Sequence, residues 1–107
     1  MSAFSKRVYI LLKQVPAGRV TTYKSLGQAI NLSAYQAIGQ ALKRNPDAPN
    51  IPCHRVVSSN GSAGGFARQR KGKVIEKKKK LLRSEGIKIK ENRIEDFERV
   101  LFDEFEV

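Results

Sequence analysis

The sequence predicts a mainly α-helical fold, a winged helix-turn-helix with a small β-hairpin as its wing. Apolar residues at helical spacing predict two short helices, from Tyr23 to about Ile30 and from Ala34 to Arg44, joined by about three residues. Farther along, Val56 and Val57 lead into Asn60-Gly61, a dipeptide that tolerates the two positive φ angles of a type I′ hairpin turn. A hairpin that follows a helix-turn-helix is a wing.

Other local signals complete this prediction. Apolar side chains at helical spacing indicate a first helix over residues 3–14. Thr22 is expected to cap the second helix, Asn31 to end it and Ser33 to open the third. Three prolines exclude a regular helix or a central strand from residues 45–52, so this stretch is predicted to be a loop.

The last third of the chain predicts a helix and a packed tail. A helix is expected over residues 73–84, with Gly86 as its terminator. Residues 87–94 alternate like a short strand, and Ile94, Phe97, Leu101 and Phe105 follow at helical spacing. We expect this acidic tail to pack across the domain.

Length and composition exclude several classes of protein. The 107 residues are enough for one domain, which we expect to span residues 1–107 as a monomer. No apolar run approaches the roughly 18 residues of a membrane span, and the first residues lack the features of a signal peptide. We therefore expect no membrane contact and a cytoplasmic location, or a nuclear one in a eukaryote. One cysteine cannot form an internal disulfide, and one histidine beside it cannot complete a zinc shell.

The charge distribution indicates a polyanionic partner. The formal net charge is +11, yet residues 1–90 carry 19 basic and 3 acidic side chains while residues 91–107 carry 2 and 7. A positive field of this size attracts nucleic acid, because Lys and Arg that neutralise phosphates release counterions. A lysine-rich surface with no partner is the alternative. The run from Lys77 to Lys80 is more typical of a solvated helix face than of a specific phosphate site.

The chain's only cysteine and only histidine, Cys53 and His54, are adjacent in the sequence PCHR. A thiol must ionise to act as a nucleophile, and a neighbouring base or positive potential favours its ionisation. On an extended segment adjacent side chains point to opposite faces, so this pair is expected to communicate through a turn or a water. Cys53 is then either a buried space-filler or a reactive thiol. Its position between a predicted DNA-reading helix and a wing favours the reactive thiol.

Four motifs extend this interpretation to a family. They occur in this order: VPAGRVTTY, AIGQALKRNP, IPCHRVVSSNGSAGGF and LLRSEG. With them the chain resembles, over residues 15–86, the active-site and DNA-binding domain of O6-alkylguanine-DNA alkyltransferases, also called methylated-DNA–protein-cysteine methyltransferases. The resemblance covers that domain alone, and the acidic extension 91–107 carries no family motif. It implies direct-reversal repair of double-stranded DNA, in which O6-alkylguanine, chiefly O6-methylguanine, is flipped out and its alkyl group is transferred irreversibly to the protein.

The resemblance also implies a role for each motif residue. Cys53 would be the nucleophile that accepts the alkyl group, once per molecule and with no metal or cofactor. His54 would be its base, acting through a water and oriented by Glu85, and Asn45 would brace the turn that holds the site. Tyr23 would crowd the target's phosphate and supply the proton needed by the leaving guanine.

A pocket and a DNA-contacting surface follow from the same resemblance. The pocket set is Tyr23, Val56 (through its carbonyl), Ser59, Phe66 and Lys78. The DNA-contacting set is Thr22, Tyr23, Lys24, Asn31, Ser33, Tyr35, Gln36, Arg55 and Ser59.

The chain departs from the family pattern at three places. Gln36 stands where the family's recognition helix usually presents an arginine, and Phe66 stands where many members have a tyrosine. The basic loop 67–73 is longer than usual. Two other functions stay open: a non-catalytic alkyltransferase-like protein that binds alkylated DNA for other repair pathways, and a plain winged-helix DNA-binding protein in which Cys53 belongs to the core.

Overall fold

The structure is a computed structural model that describes residues 3–31, 34–63 and 73–106. Five helices and four two-residue strands are described in these ranges. They are, in chain order, α1 (Ala3–Leu12), β1 (Thr21–Thr22), α2 (Tyr23–Ala29), α3 (Tyr35–Lys43), β2 (Val56–Val57), α4 (Lys73–Ser84), β3 (Ile89–Lys90), β4 (Arg93–Ile94) and α5 (Phe97–Val100). A single 3-10 turn, Cys53–Arg55, precedes β2.

The small sheet formed by β1 and β2 separates two hydrophobic clusters. The two strands pair in parallel, with Thr21 opposite Val56 and Thr22 opposite Val57. Because neighbouring side chains on a strand point to opposite faces, Val56 packs in one cluster and Val57 in the other. The first cluster contains the buried faces of α1, α2 and α3, and the second contains Leu82 of α4. The helix pair α2–α3 and helix α4 therefore lie on opposite sides of this sheet.

The predicted start and end of α2 are confirmed. The hydroxyl oxygen of Thr22 accepts a hydrogen bond from the backbone N–H of Ser25 at 3.0 Å and so caps the helix. Asn31 adopts the left-handed conformation, with φ 58°, and ends it. The N-cap of α3 is Ala34, which makes no side-chain cap bond, and Ser33 lies outside the described residues.

Helix α4 has the predicted bounds, and its C-terminus is a Schellman motif. The N–H of Ile87 donates to the carbonyl of Leu82 at 3.1 Å, and the N–H of Gly86 donates to that of Arg83 at 3.0 Å. Gly86 has φ 90°, which glycine adopts without steric cost. This motif places Glu85 at the helix end, turned back toward the 3-10 turn.

The predicted type I′ turn at Asn60-Gly61 is wrong. Only Gly61 has a positive φ, 88°, and its N–H donates to the carbonyl of Ser58, while the N–H of Ser58 donates to the carbonyl of Ser62. This bonding describes a longer turn that ends in one left-handed residue. Two consecutive positive φ angles occur instead at Glu91 and Asn92, which join the antiparallel strands β3 and β4.

The carboxyl-terminal segment packs across the domain, as predicted, but mostly without helix. Helix α5 is a single turn, after which the chain is extended beside β1. Val20 donates to the carbonyl of Val100 at 2.9 Å and accepts from the N–H of Phe102 at 2.6 Å. Phe105 then reaches the first cluster, and the backbone N–H of Glu106 donates to the side-chain oxygen of Gln14 at 2.8 Å. None of the helices in the described ranges has the length and apolar character that a bilayer crossing requires.

Candidate active site

The thiol and the imidazole leave the backbone from one 3-10 turn. The N–H of Arg55 donates to the carbonyl of Pro52 at 3.0 Å, which closes the turn. With three residues per turn, consecutive side chains point about 120° apart, so Cys53 and His54 diverge less than they would on an extended segment. Cys53 is half-buried and His54 is buried, with 6% of its surface exposed.

Asn45 ties together the loop that leads into this turn. Its side-chain amide donates to the carbonyl of Ile51 at 2.7 Å, and its side-chain oxygen accepts from the N–H of Asp47 at 2.9 Å. The N–H of Cys53 donates to that same Ile51 carbonyl at 2.8 Å. Asn45 and Cys53 therefore donate to the same carbonyl, which is a position from which Asn45 can brace the turn.

Glu85 connects the end of α4 to the 3-10 turn. Its Oε2 lies 3.1 Å from Nε2 of His54. Arg55 holds both carboxylate oxygens, with Nε 3.0 Å from Oε1 and one terminal nitrogen 2.5 Å from Oε2. Burial alone would raise the pKa of Glu85, but the hydrogen bonds from Arg55 and His54, together with their charges, lower it below its usual range. Glu85 is therefore an anion at neutral pH.

The same arrangement determines the state of His54. Because a carboxylate only accepts hydrogen bonds, the neutral imidazole carries its proton on Nε2 and keeps the lone pair of Nδ1. Nδ1 is buried and has no hydrogen-bond partner among the described residues. Burial lowers the pKa of His54 and outweighs the opposing effect of Glu85. His54 is thus a neutral imidazole with a basic atom available beside Cys53.

Tyr23 and Lys78 lie close enough to Cys53 to respond to its charge. Tyr23 begins α2 and packs, like Cys53, against the first cluster. Burial, and then a negative charge on Cys53, raise the pKa of Tyr23, so its hydroxyl keeps its proton. Lys78 is buried and donates to the carbonyl of Val56 at 2.6 Å. Burial lowers the pKa of Lys78 to about 8, while the charge of Cys53 opposes this shift.

Five members of the predicted DNA-contacting set are exposed, and the side chains of two others, Thr22 and Arg55, bond to groups within the protein. The exposed residues are Lys24, Asn31, Tyr35, Gln36 and Ser59.

The side chain of Thr22 is buried and its hydroxyl caps α2, so the structure does not expose that side chain to a duplex. The guanidinium of Arg55 binds Glu85 and donates to the carbonyl of Val15 at 2.7 Å, so it is held inside the protein. Two further predictions, for Ser33 and Phe66, lie outside the described residues.

The clamp formed by Arg55 is the feature that the sequence reasoning missed. One signal was available, since Glu85 is one of only three acidic residues among the first 90. A carboxylate in so basic a segment is expected to bind a cation. The choice of Arg55 as that cation depends on residues that are 30 positions apart and meet only in the fold.

Comparison with known proteins identifies the family. The model of the DNA-binding domain of 6-O-methylguanine DNA methyltransferase matches residues 3–87. The chain belongs to this family. The methylated-DNA–protein-cysteine methyltransferase of Metallosphaera sedula is 44% identical over 89 residues, which are 83% of this chain and 53% of that protein. The bifunctional methyltransferase/endonuclease of Picrophilus torridus is 42% identical over 92% of this chain and 32% of its own length. The chain thus spans about a third to a half of these curated relatives.

Solved structures confirm the mainly helical fold of the methyltransferase DNA-binding domain. The O6-methylguanine-DNA methyltransferase of Pyrococcus kodakaraensis aligns with a TM-score of 0.67 at 44% identity, over 81% of this chain and 48% of that one. The S. pombe Atl1 protein, in complex with damaged DNA containing O6-carboxymethylguanine, aligns with a TM-score of 0.81 over 95% and 96% of the two chains. At 23% identity, the second likeness shows the fold alone.

Proposed function

We propose that this methyltransferase-family domain repairs DNA by moving the alkyl group of O6-alkylguanine onto the Sγ atom of Cys53, once per molecule. The observation that carries this proposal is the 3.1 Å contact between Nε2 of His54 and Oε2 of Glu85, one residue from a half-buried thiol. An inert core cysteine needs no oriented imidazole beside it. Family membership supports the same chemistry.

The described groups supply each proton transfer of this reaction, and return of the proton from His54 to Tyr23 restores both side chains at its end. Nδ1 of His54 takes the thiol proton through an intervening water, and the thiolate attacks the alkyl carbon in line with its bond to O6. The C–S bond forms as the C–O bond breaks, and the electron pair goes to the guanine. The hydroxyl of Tyr23, which burial keeps protonated, donates to the guanine as its charge develops. In balance, one proton moves from protein to base and one alkyl group moves the other way.

The target base must leave the duplex, because the in-line approach is blocked inside the stack. The exposed side chains of Tyr35 and Gln36 on α3, with those of Lys24 and Asn31 on and after α2, form the surface that would hold the duplex. The Val56 carbonyl already accepts from Lys78, so its second lone pair is the one left for a guanine N–H. The buried Lys78 thereby fixes the direction of an acceptor in the proposed pocket.

The test is an intact-mass measurement on the whole chain. The protein is incubated with a duplex that contains one O6-methylguanine, and we expect a mass gain of one methyl group, located on Cys53 by peptide mapping. Cys53→Ser should gain nothing, and a duplex with unmodified guanine is the control. Preferential binding of the lesion without a mass gain would instead favour the lesion-recognition alternative. Equal affinity for damaged and undamaged duplexes would favour a plain DNA-binding protein.

A further inference from the structure

The outward side of α4 is basic and is not used by the proposed site. Ile75, Lys78 and Leu82 are buried on the inner side of the helix. Lys77, Lys80 and Arg83 are exposed on the outer side, at three-residue intervals. We call these three residues the α4 basic face. At 1.5 Å of rise per residue, their Cα atoms span about 9 Å along the helix axis.

The charges of the α4 basic face are not neutralised within the described part of the chain. The one acidic residue in the sequence of α4, Glu76, pairs with Lys79 at 3.9 Å. No carboxylate described in the structure lies within 4 Å of Lys77, Lys80 or Arg83, and Arg83 makes only a 3.3 Å bond to the carbonyl of Ile89. Like charges on neighbouring turns of a helix repel each other. An external anion would offset that repulsion.

The position of α4 makes this face independent of the α3 surface. Helix α3 packs through Ile38 and Leu42 on the Val56 side of the β1–β2 sheet, and α4 packs through Leu82 on the Val57 side. The basic face points outward from that second side. A straight duplex seated on α3 would therefore lie away from the α4 basic face, and an anion bound at α4 would belong to another segment.

We propose that the α4 basic face is a second phosphate-binding surface, which holds a duplex segment separate from the one seated on α3. This inference rests on the proposed function only in taking DNA as the partner. Such a surface allows the protein to contact a second duplex before it leaves the first. Each phosphate neutralised releases counterions, so three basic side chains give binding that weakens steeply with salt.

Energy transfer between two duplexes tests the proposal. Short undamaged duplexes labelled with a donor or an acceptor are mixed, and the protein is added at low salt. With the wild type we expect fluorescence energy transfer between the labels. Sedimentation should show that the complex contains one protein and two duplexes. Lys77→Gln/Lys80→Gln/Arg83→Gln should strongly reduce transfer and lower the slope of log K against log salt for the second duplex by about 2–3. The control Lys6→Gln/Arg7→Gln/Lys13→Gln removes the same charge from exposed positions on and just after α1 and should keep the transfer.

Four results would overturn the proposal. They are no energy transfer with the wild type, equal transfer with the α4 variant, equal loss in both triple variants, which would reflect net charge, and a complex that contains two protein chains. Methyl transfer on a single short damaged duplex is measured in parallel and should proceed at the wild-type rate in the α4 variant. If no protein transfers a methyl group, the proposed function fails while the energy-transfer result stays readable.

Discussion

Arg55 and Glu85 form a two-pronged ion pair that holds the carboxylate against Nε2 of His54. Both side chains of the pair are only 16% exposed, so each charge depends on the other for compensation. The guanidinium also donates to the Val15 carbonyl, which links the 3-10 turn to the segment after α1. The three consecutive residues Cys53, His54 and Arg55 thus divide the work of the proposed site into nucleophile, base and clamp.

Arg55→Ala is expected to destabilise the protein by about 2–4 kcal/mol, because it leaves a partly buried carboxylate and a carbonyl without their partner. The measurement is the free energy of unfolding from urea titration at pH 7. The matched control is Arg99→Ala, which removes an ion pair with Asp96 whose side chains are 75% and 64% exposed. The control should change stability by less than about 1 kcal/mol. Equal losses in the two variants would contradict the clamp.

Glu85→Gln should lower stability in a pH-dependent way. The lowered pKa of Glu85 means that the folded state favours the carboxylate, so this contribution is present above the ordinary carboxyl pKa. It is lost as the pH falls through the lowered pKa and the folded carboxylate takes up its proton. The difference in unfolding free energy between wild type and variant should therefore be largest near pH 7 and shrink below about pH 4. A difference that grows in acid would contradict this assignment.

Glu85→Gln should also slow the reaction of Cys53 with a small alkylating reagent, since His54 loses the anion that orients it and stabilises its protonated form. We expect a drop of at least about tenfold at pH 7. The control is Glu76→Gln, which removes an exposed carboxylate from the same helix. If both variants are labelled at the wild-type rate, His54 and Glu85 do not promote the reactivity of the Cys53 thiol, and the prediction is contradicted.

Lys78→Met should change the pH dependence of stability in the opposite direction from an ordinary surface lysine. The folded-state pKa of about 8 lies below the usual 10.5, so the unfolded chain binds more protons between these values. Wild-type stability relative to the variant should therefore rise from about pH 8 to pH 10.5, by roughly 2–3 kcal/mol. Urea titrations across this range measure it. The exposed Lys80→Met variant should follow the wild type, and a flat difference for Lys78→Met would contradict the burial of its charge.

Tyr23→Phe should reduce the rate of methyl transfer by more than it weakens lesion binding. In the proposed reaction the hydroxyl serves the leaving guanine after the base has left the stack, whereas the variant keeps the ring that packs on the first cluster. We expect the single-turnover rate to fall by about tenfold or more and the Kd for the lesion to rise by less than about threefold. Tyr35→Phe, on the exposed part of α3, is the control for loss of a hydroxyl. Unchanged single-turnover kinetics in Tyr23→Phe would show that its hydroxyl does not take part in the reaction.

Local signals predicted much of this fold, because they act over a few residues. The Thr22 cap, the apolar period of α4 and the glycine after it are determined within one or two helical turns. At Asn60-Gly61 a longer turn forms instead, closed by the backbone bond from Ser58 to Ser62 and by the Asn60 side chain, which accepts from the N–H of Ser62 at 3.0 Å. Pairing of Lys90 with Arg93 leaves Glu91 and Asn92 as the two-residue loop between β3 and β4.

The site was predicted through family motifs more than through physics. Its two sequence neighbours, Cys53 and His54, are visible in the printed sequence, and the carboxylate was found by resemblance. The internal role of Arg55 was not predicted because exposure and hydrogen-bond partners are tertiary properties. In the sequence, a basic residue beside a thiol is equally consistent with a DNA contact and with an internal counterion. The fold decides between them because it brings Glu85 to Arg55.

The Schellman end of α4 has one consequence for inherited change in this protein. Gly86 touches neither Cys53 nor His54, and a methyl group added at its Cα would meet no atom within 4 Å. Its φ of 90° nevertheless disfavours every other residue by about 1–2 kcal/mol. Replacing it would rotate the last residues of the helix, and Glu85 with them. The orientation of His54, the proposed general base, therefore depends on Gly86, which takes no part in the proposed reaction. A substitution of Gly86 is expected to impair the proposed repair while every reacting side chain is intact.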